Sequence, residues 1–118
     1  VNTICLCIQT SDTTIAQKPD LIRRFVAATR QSFEAAASDP EASIAAGQKV
    51  SPDLDHDLAL AQLKVGLALM ASPRGPGKPV GWMSAQDWDD TVALMKKYRD
   101  LKTDKPAAAF WTADFLPK

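Results

Sequence analysis

Five successive apolar residues, Ile4-Cys5-Leu6-Cys7-Ile8, constrain the fold of this chain more than any other feature of it. A strand with one wet face alternates apolar and polar residues. An unbroken run has two faces to bury, as does a strand inside an α/β sheet. Such a strand needs hydrogen-bonded neighbours on both edges. Downstream there is one further candidate, the short segment Phe110 to Thr112. The neighbours are therefore expected from elsewhere: a missing amino-terminal portion, another chain, or a second copy that pairs or swaps with the strand at 3–10. The start at Val1, without a Met and inside a hydrophobic pattern, predicts a cut or processed end.

After a turn expected at Thr10-Ser11-Asp12-Thr13, the pattern becomes helical. Pro19 opens a helix predicted over about 19–38, with Leu21, Ile22, Phe25, Val26, Thr29 and Phe33 on one face. Asp39-Pro40-Glu41 combines a cap, a first-turn proline and an acid at the positive end of the dipole, predicting a short helix over 40–48 that Gly47 ends. A third helix is predicted over 54–71, with Leu58, Ala61, Val65, Ala68 and Leu69 as its inner face. Three prolines and three glycines make 72–83 a loop. Ser84 and Asp87 form a capping-box pattern for a fourth helix over 84–100, striped by Trp88, Val92 and Met95. The tail at 107–117 carries Phe110, Trp111, Phe115 and Leu116 and is expected to dock on the rest. The expected fold class is an α/β fragment, predominantly helical: one apolar strand followed by about four helices.

Composition narrows function by exclusion. Fourteen Lys and Arg balance fourteen Asp and Glu, so no net charge draws the chain to phosphate backbones or anionic membranes. With 46% hydrophobic and 24% charged residues it is an ordinary folding sequence. No window approaches the ~18 apolar residues of a membrane span, and no stretch of these residues reads as a signal peptide. Cys5 and Cys7 lie at i and i+2 of the expected strand, on one face, and are expected to be two buried thiols.

No nucleophile–base pair stands out, so no catalytic residue is assigned. Asp53, Asp55, His56 and Asp57 have metal-binding side chains, but the acids sit where a helix begins, and capping explains them better. Gly75-Pro76-Gly77-Lys78 lacks the spacing and the following Lys-Ser/Thr pair of a phosphate loop. Trp82, Trp88 and Trp111 could stack on an aromatic ligand. Trp88 reads as core, Trp82 as a lid or packing residue, and Trp111 as packing in the tail. Arg23 and Arg24 could meet an anion or a transporter, yet on a helix start they suit a solvated face. Gln9, Thr10 and Ser11 stand at a strand end, where α/β folds often place ligands; a plain turn accounts for them. No metal and no cofactor are expected, and no ligand-binding residue is assigned.

The order of these pieces carries a resemblance. An apolar strand leads to Lys18-Pro19-Asp20-Leu21-Ile22-Arg23-Arg24-Phe25-Val26-Ala27-Ala28-Thr29, then to Asp39-Pro40-Glu41-Ala42. Gly81-Trp82 leads to Asp87-Trp88, and the end reads Phe110-Trp111-Thr112-Ala113-Asp114-Phe115-Leu116. The chain resembles the carboxy-terminal third of the NMT1/THI5-like family. That family groups thiamine-pyrimidine-precursor synthases with ABC substrate-binding proteins for nitrate, sulfonates and thiamine precursors. Ala113 departs from the pattern, which usually has Asn there. The resemblance implies the carboxy-terminal part of a two-lobe, type II-like periplasmic binding protein, with residues 1–9 returning to the first lobe and most of the ligand cleft supplied by upstream residues. It further implies an importer's solute receptor, bacterial, periplasmic or extracellular and membrane-associated, whose partners are a small polar solute and an ABC permease, with no nucleic acid. The rival readings are a pyrimidine-synthase-like enzyme, whose cysteine-rich iron-binding stretch has no counterpart here, and a stand-alone helical interaction module.

Overall fold

The computed structural model describes residues 3–4, 6–70 and 72–117. The chain runs α1 (Asp12–Gln17), α2 (Pro19–Ser38), α3 (Pro40–Val50), α4 (His56–Leu69), α5 (Ala85–Tyr98) and a 3-10 turn (Ala107–Phe110). The predominantly helical character expected of the sequence is present.

Each helix start has a local cause. The Ser11 hydroxyl accepts from the Thr14 amide and begins α1, where the sequence reads as a plain turn. Pro19 occupies the first turn of α2. Asp39 serves two helices: its amide donates to the Ala35 carbonyl to close α2, and its carboxylate accepts from the Ala42 amide to open α3. Asp55 accepts from the Leu58 amide at the start of α4. Ser84 and Asp87 form a reciprocal capping box on α5. Beyond α5, Asp100 turns the chain with φ 54°, and the Leu101 amide donates to the Met95 carbonyl.

Several sequence expectations are corrected. Among the described residues there is no strand, and the apolar run predicted as a strand at 3–10 has no ladder to join. The physical reason is the one that made the run conspicuous: a strand is a relation between segments, and the described residues supply no second one. Phe110 to Thr112 instead leaves the 3-10 turn in irregular backbone. Cys7 is exposed, not buried; Cys5 lies outside the described residues. Gly47 does not end α3, which continues to Val50. The third predicted helix, 54–71, is His56–Leu69, and the fourth, 84–100, is Ala85–Tyr98.

The largest reversal concerns α4. Its predicted inner face, Leu58, Ala61, Val65, Ala68 and Leu69, points outward, with Leu58, Val65 and Leu69 57%, 61% and 79% exposed. Ala59, Leu60, Leu63, Gly66 and Leu67 are the less exposed side. On α2, Leu21 and Phe25 also face outward, while Ile22 and Ala36 are buried.

α3 packs on both α2 and α4, and α5 packs with the 3-10 turn. The buried apolar residues among those described are Ile22, Ala36, Ile44 and Ala107. The radius of gyration is 16.4 Å, against about 13.5 Å for a compact chain of this length. The helices therefore form an open arrangement with much apolar surface uncovered, more than isolated surface residues account for.

Candidate functional site

The densest polar cluster lies where the 72–83 loop meets the start of α5. Asp87 is 4% exposed. Ser72 Oγ donates to its Oδ2 at 2.7 Å, and the Ser84 amide donates to the same oxygen at 3.3 Å. Arg74 Nη1 donates to Asp87 Oδ1, and Arg74 Nη2 to Asp90 Oδ2 at 2.7 Å. Burial alone would raise the Asp87 pKa. The hydrogen bonds from Ser72, Ser84 and Arg74 overcome it and lower the value to about 2. The Arg74 pKa is raised by the Asp87 hydrogen bond, against desolvation, and by Asp90. Thr91 Oγ1 donates to the Asp87 carbonyl at 2.7 Å and accepts from the Ile4 amide at 3.1 Å. One network thus ties the loop, the start of α5 and the amino-terminal segment together. Every polar atom of Asp87 is engaged in structure, which makes the cluster a brace.

Beside this brace, a hollow of about 90 Å³ is lined by Leu67, Met70, Gly75, Pro79 and Trp82. That is well below the about 300 Å³ at which pockets begin to enclose small organic ligands. Gly75 is buried and approaches the Trp82 ring so closely that a Cβ would overlap it. Lys78 Nζ lies 5.7 Å from the same ring's centroid. The Gly75-Pro76-Gly77-Lys78 stretch therefore wraps an aromatic side chain.

Trp88 and Trp111 stack with centroids 5.9 Å apart and planes within 6°. Trp111 thereby fastens the tail to α5, while the buried Trp88 indole N–H finds no partner among the described residues. Trp82 belongs to the loop hollow, so the three tryptophans do not converge on one cleft.

Arg23 pairs with Asp20 at 2.9 Å and lies over the Phe115 ring at 5.5 Å, joining α2 to the tail; Arg24 is exposed. His56 bridges α3 and α4: its Nε2 is 3.0 Å from Glu41 and its Nδ1 3.0 Å from Asp57. Its pKa is raised by the Asp57 hydrogen bond, against desolvation, and by Glu41. The two carboxylates sit at opposite ring nitrogens and do not converge on a common point. Asp53 is exposed, and no group of three or more metal-binding side chains forms among the described residues. Gln9 Nε2 reaches Cys7 Sγ at 3.8 Å, Thr10 is exposed, and Ser11 is a helix cap.

Two features escaped the sequence reading. Arg74 is a lone arginine in a proline- and glycine-rich loop; its partners follow only once α5 is folded. The Asp87 capping pattern was the one available signal of the brace. The outward apolar face of α4 was concealed because that helix is apolar on nearly all sides, so its spacing does not say which side is covered.

Among the described residues the chain is thus a predominantly helical assembly with a braced loop and an exposed apolar segment at Leu6 to Ile8. Residues 2–43 match the family model described as NMT1/THI5 like, in agreement with the resemblance drawn from the motifs. The match spans the apolar run, α1, α2 and the start of α3. No curated protein matches the chain. No helix among the described residues is long and apolar enough to cross a membrane.

Proposed function

We propose that this chain is the carboxy-terminal part of the solute-binding component of an ABC importer for a small polar molecule. The match of residues 2–43 to the NMT1/THI5-like family carries the reading. The order of the later motifs, Gly81-Trp82, Asp87-Trp88 and Phe110 to Leu116, supports it. So does the uncovered apolar surface of α2, α4 and the amino-terminal segment, which suits a part of a larger α/β body better than a free-standing module.

In this reading the receptor is not an enzyme. It closes two lobes around a solute by hinge motion and delivers it to a permease at the outer face of a bacterial membrane. The helices described here brace one lobe, and the solute is held largely by residues outside them. Candidate solutes are thiamine-pyrimidine precursors, sulfonates and nitrate.

The test is a thermal-shift and calorimetric screen of the complete gene product against aminopyrimidines, aliphatic and aromatic sulfonates and nitrate. Saturable one-to-one binding without turnover is expected. Consumption of a bound pyrimidine precursor, or an upstream sequence with no two-lobe α/β pattern, would sink the reading.

A further inference from the structure

The tail at 107–117 meets the rest of the molecule at two ends of different character. At its near end the 3-10 turn packs on α5, Ala107 is buried, and Trp111 stacks on Trp88 with planes within 6°. At its far end the Arg23 guanidinium of α2 lies 5.5 Å from the centroid of the Phe115 ring. Beside it, Leu116 Cδ2 rests 3.4 Å from where a Gly81 Cβ would stand. Between the two ends Thr112, Ala113 and Asp114 are exposed. The bonds of this stretch are local: Thr112 Oγ1 accepts from the Asp114 amide at 3.1 Å, and the Ala113 carbonyl accepts from the Leu116 amide at 3.1 Å.

The two ends differ in what it costs to open them. Opening the near end separates two stacked indole rings and uncovers Ala107. Opening the far end breaks a cation–π contact whose Arg23 side chain is 55% exposed, and such contacts are weak at wet sites. When Phe115 leaves, Arg23 keeps Asp20 at 2.9 Å, so its charge stays paired in water and is not stranded in an apolar site. A segment dear to open at one end and cheap at the other opens locally, from the cheap end.

We propose that the tail is a two-ended strap, fixed on α5 through Trp111 and releasable from α2, with Arg23 as the catch on Phe115 and residues 112–114 as the hinge. Among the described residues no helix of α1–α4 packs on α5, so the closed strap is a direct tie between α2 and α5. Its release carries Leu116 away from Gly81 and uncovers the end of the loop that wraps Trp82. The inference stands apart from solute binding: a failed solute screen leaves it in place, and its own failure leaves the receptor reading untouched.

Amide exchange of the complete gene product, resolved by NMR, tests it through two hydrogen-bonded amides. Leu116 bonds to the Ala113 carbonyl at the releasable end, and Ala109 bonds to the Pro106 carbonyl at the fixed end. Arg23→Gln should speed exchange at Leu116 by about 2–5-fold and leave Ala109 unchanged. Phe115→Leu keeps an apolar side chain without a ring face and should do the same. The double variant should go no further than either single change, since both remove one contact. Arg23→Lys keeps the cation and should restore much of the protection. Trp111→Ala frees the fixed end and should speed both amides. Unchanged exchange at Leu116 in Arg23→Gln would overturn the proposal. So would Ala109 quickening in step with Leu116, which makes the tail one piece, or effects of Arg23→Gln and Phe115→Leu that multiply in the double variant.

Discussion

Replacing Asp87 with Asn removes one charge from the brace and leaves its shape almost unchanged. The asparagine can still accept from the Ser84 amide at the capping position, but Arg74 loses one of its two carboxylate partners and keeps Asp90. The magnitude follows from the proton equilibrium. The carboxyl titrates near 3.8 when free and at about 2 in the fold, despite burial, because Ser72, Ser84 and Arg74 donate to it. A depression of that size corresponds to about 2 kcal/mol at neutral pH. Arg74 is 41% exposed, so solvent screens part of this, leaving about 1–2 kcal/mol. The sign is that of a depressed acid: stabilisation is complete above the unfolded-state pKa near 3.8 and is lost as pH falls through about 2. Thermal unfolding of wild type and Asp87→Asn, followed by far-ultraviolet circular dichroism, reads this directly. At pH 7 the variant should melt about 4–10 °C lower, and most of that gap should close by pH 2. Groups common to both proteins titrate in both, so the difference isolates Asp87. Coincident melting at pH 7, or a gap equally wide at pH 2, would refute the account of the brace.

The remaining predictions use other contacts. The His56 ring should titrate above 6.5 by NMR, and the combined Glu41→Gln and Asp57→Asn variant should bring its midpoint down. Being a raised histidine, it contributes its stabilisation below pH 6.5, and this fades as pH rises through the folded pKa; an unchanged midpoint in the variant would contradict the bridge. Gly66 has open space where a Cβ would stand, so Gly66→Ala should stabilise α4 by about 0.5–1 kcal/mol, read as a higher Tm. Gly75→Ala would drive a methyl group into the Trp82 ring and should destabilise by about 1–3 kcal/mol with a shift in tryptophan emission. Trp111→Ala removes the stack on Trp88; it should cost about 1 kcal/mol or more and make the bonds after Ala107 readily cleaved by protease.

What was legible in the sequence was what is determined locally. Ser84 with Asp87, Asp39 with Pro40, and Pro19 each act within one turn of backbone, and each opens a helix where the pattern placed it. The helix at Asp12–Gln17 was missed because Thr-Ser-Asp-Thr suits a turn and a cap equally; only the continuation through Ile15 and Ala16 decides it. The brace was half legible. The capping box announced Asp87, but Arg74 arrives from thirteen residues upstream along a loop whose prolines and glycines define no direction. The Glu41–His56 bridge spans fifteen residues and two helices, and depends on how α3 lies on α4.

The two places where sequence reasoning and structure part company share a cause. In α4 only Gln62 and Lys64 break the apolar sequence after Asp57, and a helix apolar on all sides is one that expects cover on all sides. Periodicity can name an inner face only when an outer one exists. The structure chooses Leu60, Leu63 and Leu67 for the side toward its neighbours and leaves Leu58, Val65 and Leu69 outward. The segment around Leu6 repeats the situation in one dimension fewer, since a strand without polar alternation has no solvent side to display. Both elements carry more apolar surface than the described residues can cover. The fold is therefore organised by its caps and its brace, with these apolar faces left uncovered by the described residues. That division also explains the weight placed on Thr91: through one hydroxyl it joins the uncovered segment to the best-satisfied carboxylate in the chain, at the Ile4 amide on one side and the Asp87 carbonyl on the other.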